Sequence, residues 1–386
     1  MVRQVEIPIS PEQLGNASRN YIDCLNLHPS SQILIITDKL PGIQEIDPHL
    51  KVRRDLSAML RDEIGKDHKV AMIEFDGKQS AEELKSETER ALNELNKLEG
   101  RNSAEHTTVI FLGEQWKERT GIYAGADEFG ISHRINVNVA LSLGFSTGDC
   151  RVMSELDKNK MRSIEEINSK FEAFFYDHPN GKFKVTTHDD EGNNFILNLD
   201  YDTSKAPFRS DMGMFDGRHE SPISEFKHTR GINVPGGEIY GIGYPYKSTN
   251  GKFLAEGLIF VVENGLVKSI EFKEGQKIED FDTSQQDLIR LVNEEGKPMP
   301  FGELGIGFYK LLGIKTWSDA SVLSHEKDGP HAGLGHGEES TPDEEKEVSE
   351  IAGSFRHTDF VLDNPEIILL DPEGEGNDLR FYPPAE

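Results

Sequence analysis

The sequence predicts two domains: an α/β N-terminal domain with a parallel sheet and helices, followed by an α+β, mainly antiparallel C-terminal domain. At 386 residues, 35% of them hydrophobic, the chain is long enough for two ordinary cores. Apolar runs alternate with helical patterns in the first half, whereas strand patterns joined by tight turns dominate the second. His-Pro-Asn-Gly at 178–181 marks a turn, so we place the domains at 1–180 and 181–386.

The first half alternates strand and helix patterns. Continuous apolar runs predict strands buried on both faces, which is typical of a parallel sheet. No Gly-x-Gly-x-x-Gly or phosphate-binding loop follows these strands, so a nucleotide site has no support. The predicted strands are 32–38, 70–75, 107–112 and the alternating stretch 132–142, and the predicted helices are 55–64, the segment that follows a capping box at 80–83, and 164–175.

The second half contains two predicted hairpins and one predicted helix. The first hairpin pairs 182–187 with 194–201. The second pairs 257–262 with 266–272 through Asn264-Gly265, because these residues accept the positive backbone angles of a tight turn. The helix covers 284–293.

Charge and cysteine content limit the classes of partner. The formal net charge is -27, from 69 acidic and 42 basic residues. This excess would repel a nucleic-acid backbone and an anionic membrane surface, so we expect neither partner. Cys24 and Cys150 are too few for a secreted disulfide framework, and no segment has the apolar core of a signal peptide or a membrane span. We therefore expect a soluble cytoplasmic protein.

Two histidine motifs in the second half are candidate metal ligands. In His357-Thr358-Asp359, positions two apart project from one face of a strand, so the imidazole and the carboxylate converge. His331 lies in Pro-His-Ala-Gly-Leu-Gly, where small residues leave room around the ring. Each motif alone has a simpler interpretation, namely a hydrogen-bonded pair or a histidine packed in a glycine-rich turn.

Two glutamates extend this set. Glu238 follows Gly236-Gly237, and Glu303 stands among apolar residues and glycines, where an ionised carboxylate is costly unless it is paired or bound to metal. A salt bridge is the alternative for each glutamate. Two histidines and three carboxylates suit zinc, cobalt, manganese or iron, and five ligands are enough for two ions. We expect the other histidines, His133, His325 and His336, to lie in loops, with His336 also a candidate for substrate contact.

Four segments in order resemble the aminopeptidase T, AmpS and PepS family of thermophilic-type metallo-aminopeptidases. They are 233–240, 302–307, 326–335 and 357–362. The resemblance implies a homodimer with a dinuclear metal centre in the C-terminal domain, which releases N-terminal amino acids from peptides through a metal-activated water. It implies that Glu303 bridges the ions or takes the water proton. The implied ligands are Glu238, Glu303, His331, His357 and Asp359.

The sequence departs from the family pattern at one loop. The family commonly has a tyrosine a few residues after the first histidine, whereas this chain has Glu338 near that place. Gly236-Gly237 also stands where the family commonly has a threonine. The acidic stretch 338–350 that follows is expected to be a solvated loop or helix face.

Two alternatives to the peptidase remain open. A mononuclear non-haem iron ring-cleaving dioxygenase, of the dihydroxypyridine dioxygenase type, would use His331, His357 and Asp359 as a facial triad. Glu238 and Glu303 would then be redundant, which favours the dinuclear hydrolase. The third hypothesis, suggested by the missing tyrosine, is a non-catalytic peptide-binding accessory protein of the same fold.

Overall fold

The chain divides into two compact units. The first comprises 1–164, 211–236 and 314–325, and the second comprises 165–210, 237–313 and 326–386. Neither unit is continuous in sequence, and the boundary drawn between 180 and 181 stays a prediction. The computed structural model describes residues 8–29, 31–39, 47–75, 81–97, 106–113, 137–142, 144–203, 208–214, 229–241, 246–281, 283–317, 319–335, 350–353, 357–371 and 377–383.

The first unit is built on a parallel sheet. In the described residues this sheet has five strands, all paired in parallel, as the continuous apolar runs predict. Its strands are, in spatial order, β2 (Lys69–Phe75), β1 (Ser31–Asp38), β3 (His106–Leu112), β4 (Val137–Leu141) and β8 (Thr229–Asn233). The sequence patterns predict the first four of these strands but not β8.

Helices accompany this sheet, and most start at recognisable caps. Ser10 and Gln13 form a capping box at the first helix, and Ser146 and Asp149 form another at the fourth. The helix predicted at 55–64 begins earlier, because Asp47 caps its amino end and Pro48 takes the first position. The helices are α1 (Pro11–Leu25), α2 (Pro48–Ile64), α3 (Ala81–Lys97), α4 (Thr147–Glu155) and α5 (Lys158–Asp177), of which α5 continues into the second unit.

The second unit contains the large antiparallel sheet that the sequence predicts. Both predicted hairpins are confirmed, and Asn264 and Gly265 have positive φ angles of 51° and 75°. In the described residues the sheet has twelve strands, and β7 and β9 branch from its main path. The strands are β5 (Asn180–His188), β6 (Asn194–Asp202), β7 (Arg209–Asp211), β9 (Glu238–Tyr240), β10 (Asn250–Ala255), β11 (Leu258–Glu263), β12 (Leu266–Phe272), β13 (Met299–Gly307), β14 (Pro330–Gly335), β15 (His357–Val361), β16 (Glu366–Leu369) and β17 (Leu379–Tyr382).

Two further α-helices are among the described elements. The predicted helix at 284–293 is confirmed as α6 (Thr283–Asn293), and a single turn forms α7 (Val322–His325). Within the described part of the chain, no helix combines the length and the apolar character needed to span a membrane. Cys24 and Cys150 are buried free thiols.

A cluster of aromatic side chains lies beneath the centre of the antiparallel sheet. Phe253 on β10 stacks on Phe260 of β11, with ring centroids 4.6 Å apart. Phe260 meets Phe360 of β15 at 4.9 Å, and Phe253 meets Phe301 of β13 at 5.9 Å. This burial anchors β13 and β15, the strands that carry three of the predicted ligands.

In the first unit, a buried arginine joins α4 to the loop before α7. Arg151 donates to both carboxylate oxygens of Asp319 at 2.9 Å, and Thr147 donates to Asp319 at 2.6 Å. Partial burial opposes ionisation of Asp319, but these hydrogen bonds and the Arg151 charge outweigh it and lower the pKa of Asp319. The carboxylate therefore stabilises the unit mainly when it is ionised.

We expect Asp319→Asn to lower the free energy of unfolding by about 1–2 kcal/mol at neutral pH, because a charged acceptor facing Arg151 is lost at a partly exposed position. Since the folded-state pKa of Asp319 is lowered, its contribution is present above the unfolded pKa of about 3.9 and is lost as the pH falls through the folded-state pKa. Urea unfolding across this pH range measures the difference. Asp62→Asn, at an exposed pair with Arg61, is the matched control and should change little.

Candidate metal centre

Three neighbouring strands place the predicted ligands on one face of the sheet. Glu303 of β13 lies opposite Gly333 of β14, and Gly333 lies opposite Asp359 of β15. Opposite residues share a face, and so do residues two apart along a strand. His331 is two residues before Gly333, and His357 is two before Asp359, so all four functional side chains project to the same side.

Glu238 joins this face from β9. It pairs with Gly307 of β13, four residues after Glu303 and therefore on the same face. Four positions of the opposite face hold buried apolar side chains, whose exposure is 2% or less: Leu304, Ala332, Leu334 and Phe360. The alternation explains why charged and apolar residues follow one another so closely in these segments.

Two glycines make room for the imidazole rings. A Cβ atom on Gly305 would lie 2.0 Å from His331 Nε2, and a Cβ atom on Gly333 would lie 2.5 Å from His357 Nε2. These distances are far below van der Waals contact, so any side chain at either glycine would have to displace a ring. The glycine-rich pattern around His331 therefore shapes the site as well as the turns.

His331 has the surroundings of a ligand. Its side chain is 1% exposed, and its Nδ1 lies 3.3 Å from the carbonyl oxygen of Gly329, to which it donates. Its Nε2 is buried without a hydrogen-bond partner in the described residues. The nearest carboxylate oxygens belong to Glu303 at 3.5 Å and Glu238 at 3.7 Å. A histidine held through Nδ1 and open at Nε2 is typical of metal sites.

His357 and Asp359 form the second half of the cluster. His357 Nε2 lies 2.8 Å from Asp359 Oδ1 and 3.9 Å from Glu303 Oε2. The His357 side chain is 23% exposed, so this half opens toward solvent. Glu303 thus directs one oxygen toward His331 and the other toward His357.

A buried lysine that the sequence analysis left without a function completes the site. Lys327 lies in a 3-10 turn, Glu326–Asp328, immediately before β14, and is 0% exposed. Its Nζ lies 2.8 Å from Glu238 Oε1 and 2.7 Å from Glu326 Oε1. The sequence holds no local signal for this arrangement, because Glu238 comes from β9, 89 residues earlier in the chain.

The carboxylates set the electrostatics of the centre. Burial alone would lower the pKa of His331, but Glu303, Asp359 and Glu238 outweigh it and raise the pKa to about 9. Burial would raise the pKa of Asp359, but His357 beside it brings the pKa down to about 2. Burial and the Glu238 charge raise the pKa of Glu326 well above its usual range, against the effect of Lys327. The centre therefore favours bound positive charge.

This set of donors fits a divalent ion. Ligand atoms of Glu303, His331 and Asp359 all lie within 4.8 Å of one another. The open Nε2 of His331 and the space kept by Gly305 are further features that a bound cation would account for. Imidazole and carboxylate oxygens together suit borderline or hard divalent ions.

The structure brings together all five residues predicted as ligands, and their function as ligands stays a prediction. The expectation that His325 lies in a loop was wrong, because His325 is the last residue of the helical turn α7 in the first unit. His133, His336, the loop near Glu338 where the family tyrosine is missing, and the acidic stretch as far as residue 349 lie outside the described residues.

Comparison with known proteins gives a similarity of fold. No protein-family model matches the chain, and no curated protein matches it in sequence. Among solved structures, wild-type AmpT from Thermus thermophilus has a similar fold, with a TM-score of 0.58 and 11% sequence identity. The match covers 96% of this chain and 97% of that chain. At this identity, the similarity shows a shared fold over almost the whole length of both chains.

Proposed function

We propose that the protein is a metal-dependent aminopeptidase-like hydrolase, which releases N-terminal amino acids from peptides with two divalent ions. The position of Glu303 carries this proposal. Its Oε1 lies 3.5 Å from His331 Nε2, and its Oε2 lies 3.9 Å from His357 Nε2. A carboxylate that faces two imidazoles with different oxygens is suited to bridge two ions.

The remaining residues divide between two ion positions. His331 and Glu238 would hold one ion, and His357 and Asp359 would hold the other, with one Glu303 oxygen for each. Zinc, cobalt and manganese suit this mixture of imidazole and carboxylate. Bound divalent ions would lower the pKa of a water from about 15.7 towards roughly 7 and polarise a peptide carbonyl.

Residues at the centre orient a ligand ring and would accept the proton of the attacking water. Asp359 orients the His357 ring through the 2.8 Å contact at Nε2 whenever no ion is bound. Glu303 would either bridge the ions through both oxygens or take the water proton through an oxygen that is not bound to an ion, so these two functions are alternatives. The free amine of a peptide would bind one of the ions, which agrees with an exopeptidase acting at the amino terminus.

The order of motifs supports the same proposal. Four segments resemble the aminopeptidase T, AmpS and PepS family, and the AmpT structure is similar in fold. The proposed dioxygenase alternative needs only His331, His357 and Asp359, and so it leaves the central position of Glu303 without a function. The predicted homodimer and the cytoplasmic location stay predictions.

We expect metal-depleted protein to take up about two equivalents of Mn²⁺, Co²⁺ or Zn²⁺ per chain, because the five ligands form two positions that share Glu303. Elemental analysis after gel filtration measures the content. The loaded protein should hydrolyse aminoacyl-nitroanilides or short peptides from the amino end. No uptake of any of these ions, or of Fe²⁺, would contradict both enzymatic hypotheses.

The same preparations separate the alternatives. One equivalent of iron together with oxygen consumption on dihydroxypyridines would support the dioxygenase. Peptide binding without turnover, in protein that holds two ions, would support the accessory protein.

A further inference from the structure

Lys327 is a fixed positive charge on one side of the centre. Its side chain is fully buried, and its Nζ contacts Glu238 Oε1 at 2.8 Å and Glu326 Oε1 at 2.7 Å. A buried ammonium is costly unless it is paired, and the Glu238 carboxylate provides the pairing, with Glu326 as a further hydrogen-bond acceptor. Lys327 therefore carries its charge as part of the site.

The lysine is close to one of the two ion positions. Glu238 presents Oε1 to Lys327 and has Oε2 3.7 Å from His331 Nε2, so a single carboxylate separates the ammonium from the His331 ligand atom. The other position has His357 Nε2 between two carboxylates, those of Asp359 at 2.8 Å and Glu303 at 3.9 Å. The two positions thus differ in their charged surroundings.

We infer that Lys327 makes the two ion positions unequal, so that the ion held by His331 and Glu238 binds more weakly than the ion held by His357 and Asp359. This inference rests on the proposed two-ion centre. A unit charge about 6 Å from a divalent ion changes its affinity about tenfold at the dielectric constant of water, and the effect on a second ion about 3.5–4 Å further away is smaller. At an effective dielectric constant of about 20, the difference between the two positions exceeds about tenfold. The position near Lys327 is therefore the exchangeable one.

Lys327 also holds Glu238 in position. Loss of this contact would weaken ion binding, whereas loss of the lysine charge would strengthen it. Removing a residue that orients a metal ligand typically weakens binding about 10- to 100-fold. Removing the ammonium charge strengthens binding at the same position, and in a fully buried site this gain is the larger of the two. The sign of the change in a neutral variant therefore distinguishes a charge effect from a purely structural one.

The experiment is calorimetric titration of Mn²⁺ into the metal-depleted full chain. The wild type should show two steps that differ at least tenfold in affinity. His331→Ala should remove the weaker step, and His357→Ala should remove the tighter one. This assignment requires no change at Lys327, so it holds even if the lysine variants fold poorly.

Two neutral variants then test the lysine directly. Lys327→Gln keeps a donor toward Glu238 without the charge and should strengthen the weaker step at least tenfold. Lys327→Met lacks the donor and should strengthen it less. Lys297→Met is the matched control, because Lys297 is exposed and pairs with Glu295, and neither step should change. Thermal unfolding confirms that each variant is folded.

The outcomes separate this inference from the proposed function. Two steps of equal affinity, a weaker step removed by His357→Ala, or weaker binding in both folded lysine variants would overturn the inference and leave the two-ion centre intact. No Mn²⁺ binding by the wild type would overturn both.

Discussion

Glu303→Gln is expected to lower the turnover of an aminoacyl-nitroanilide by at least about a thousandfold, because the carboxylate that would bridge the ions or accept the water proton is lost. Glutamine has nearly the same volume, so the 9% exposed side chain still fits between β13 and the neighbouring strands. An amide offers one oxygen where the carboxylate offers two. The protein should therefore also bind fewer than two ions, as elemental analysis would show.

The control for this substitution is Glu271→Gln, at an exposed position on β12, where activity and ion content should stay unchanged. The two measurements on Glu303→Gln have separate consequences. Wild-type turnover would remove Glu303 from the reaction, and two tightly bound ions would show that it is not the bridge. Loss of turnover with two ions retained would leave it as the proton acceptor alone.

The predicted ligands were recognisable because each breaks its local pattern. Glu303 is a carboxylate inside an apolar strand, and His357 and Asp359 have strand spacing before an apolar run. Their convergence depends on register: Glu303, Gly333 and Asp359 must lie opposite one another across three strands. Sequence spacing predicts the face within one strand but not the pairing between strands.

The sequence did not predict that Lys327 lies at the site. A lysine between Glu326 and Asp328 is typical of an exposed turn, and lysines are seldom fully buried. Its burial depends on Glu238, which comes from β9, 89 residues earlier in the chain. Only the tertiary structure brings that carboxylate to the lysine.

Local sequence patterns also predict only part of the fold. The apolar runs of β1 and β3 predict a parallel sheet because both faces of such strands are buried. The same expectation was wrong for β2, which lies at the end of the strand order and is only partly buried. The fifth strand, β8, lies well after these runs in sequence, yet it pairs in parallel with β4, where Val137 lies opposite Thr229. A local pattern cannot identify so distant a partner. The helix α1 was not predicted either, although Ser10 and Gln13, which form its capping box, are close together in sequence.

Gly305→Ala is expected to weaken ion binding at least about a hundredfold, because the displaced His331 ring would no longer present its Nε2. The new methyl group would lie 2.0 Å from that Nε2 and 2.2 Å from Cε1. His331 is 1% exposed, so protein atoms surround its ring. Overpacking of this kind also costs about 1–3 kcal/mol in the free energy of unfolding. Calorimetric titration and urea unfolding measure the two effects.

Gly329→Ala is the matched control, because its Cβ would meet Tyr382 Oη at 3.6 Å and Lys310 Cδ at 3.9 Å, both ordinary contacts. It lies two residues before His331 and should leave ion binding within about threefold of the wild type. Gly333→Ala should act on the other ring, since its methyl group would lie 2.3 Å from His357 Cε1. If Gly305→Ala bound ions like the wild type, His331 would not be a ligand. The metal ligands would then have to be assigned without His331, starting from His357 and Asp359.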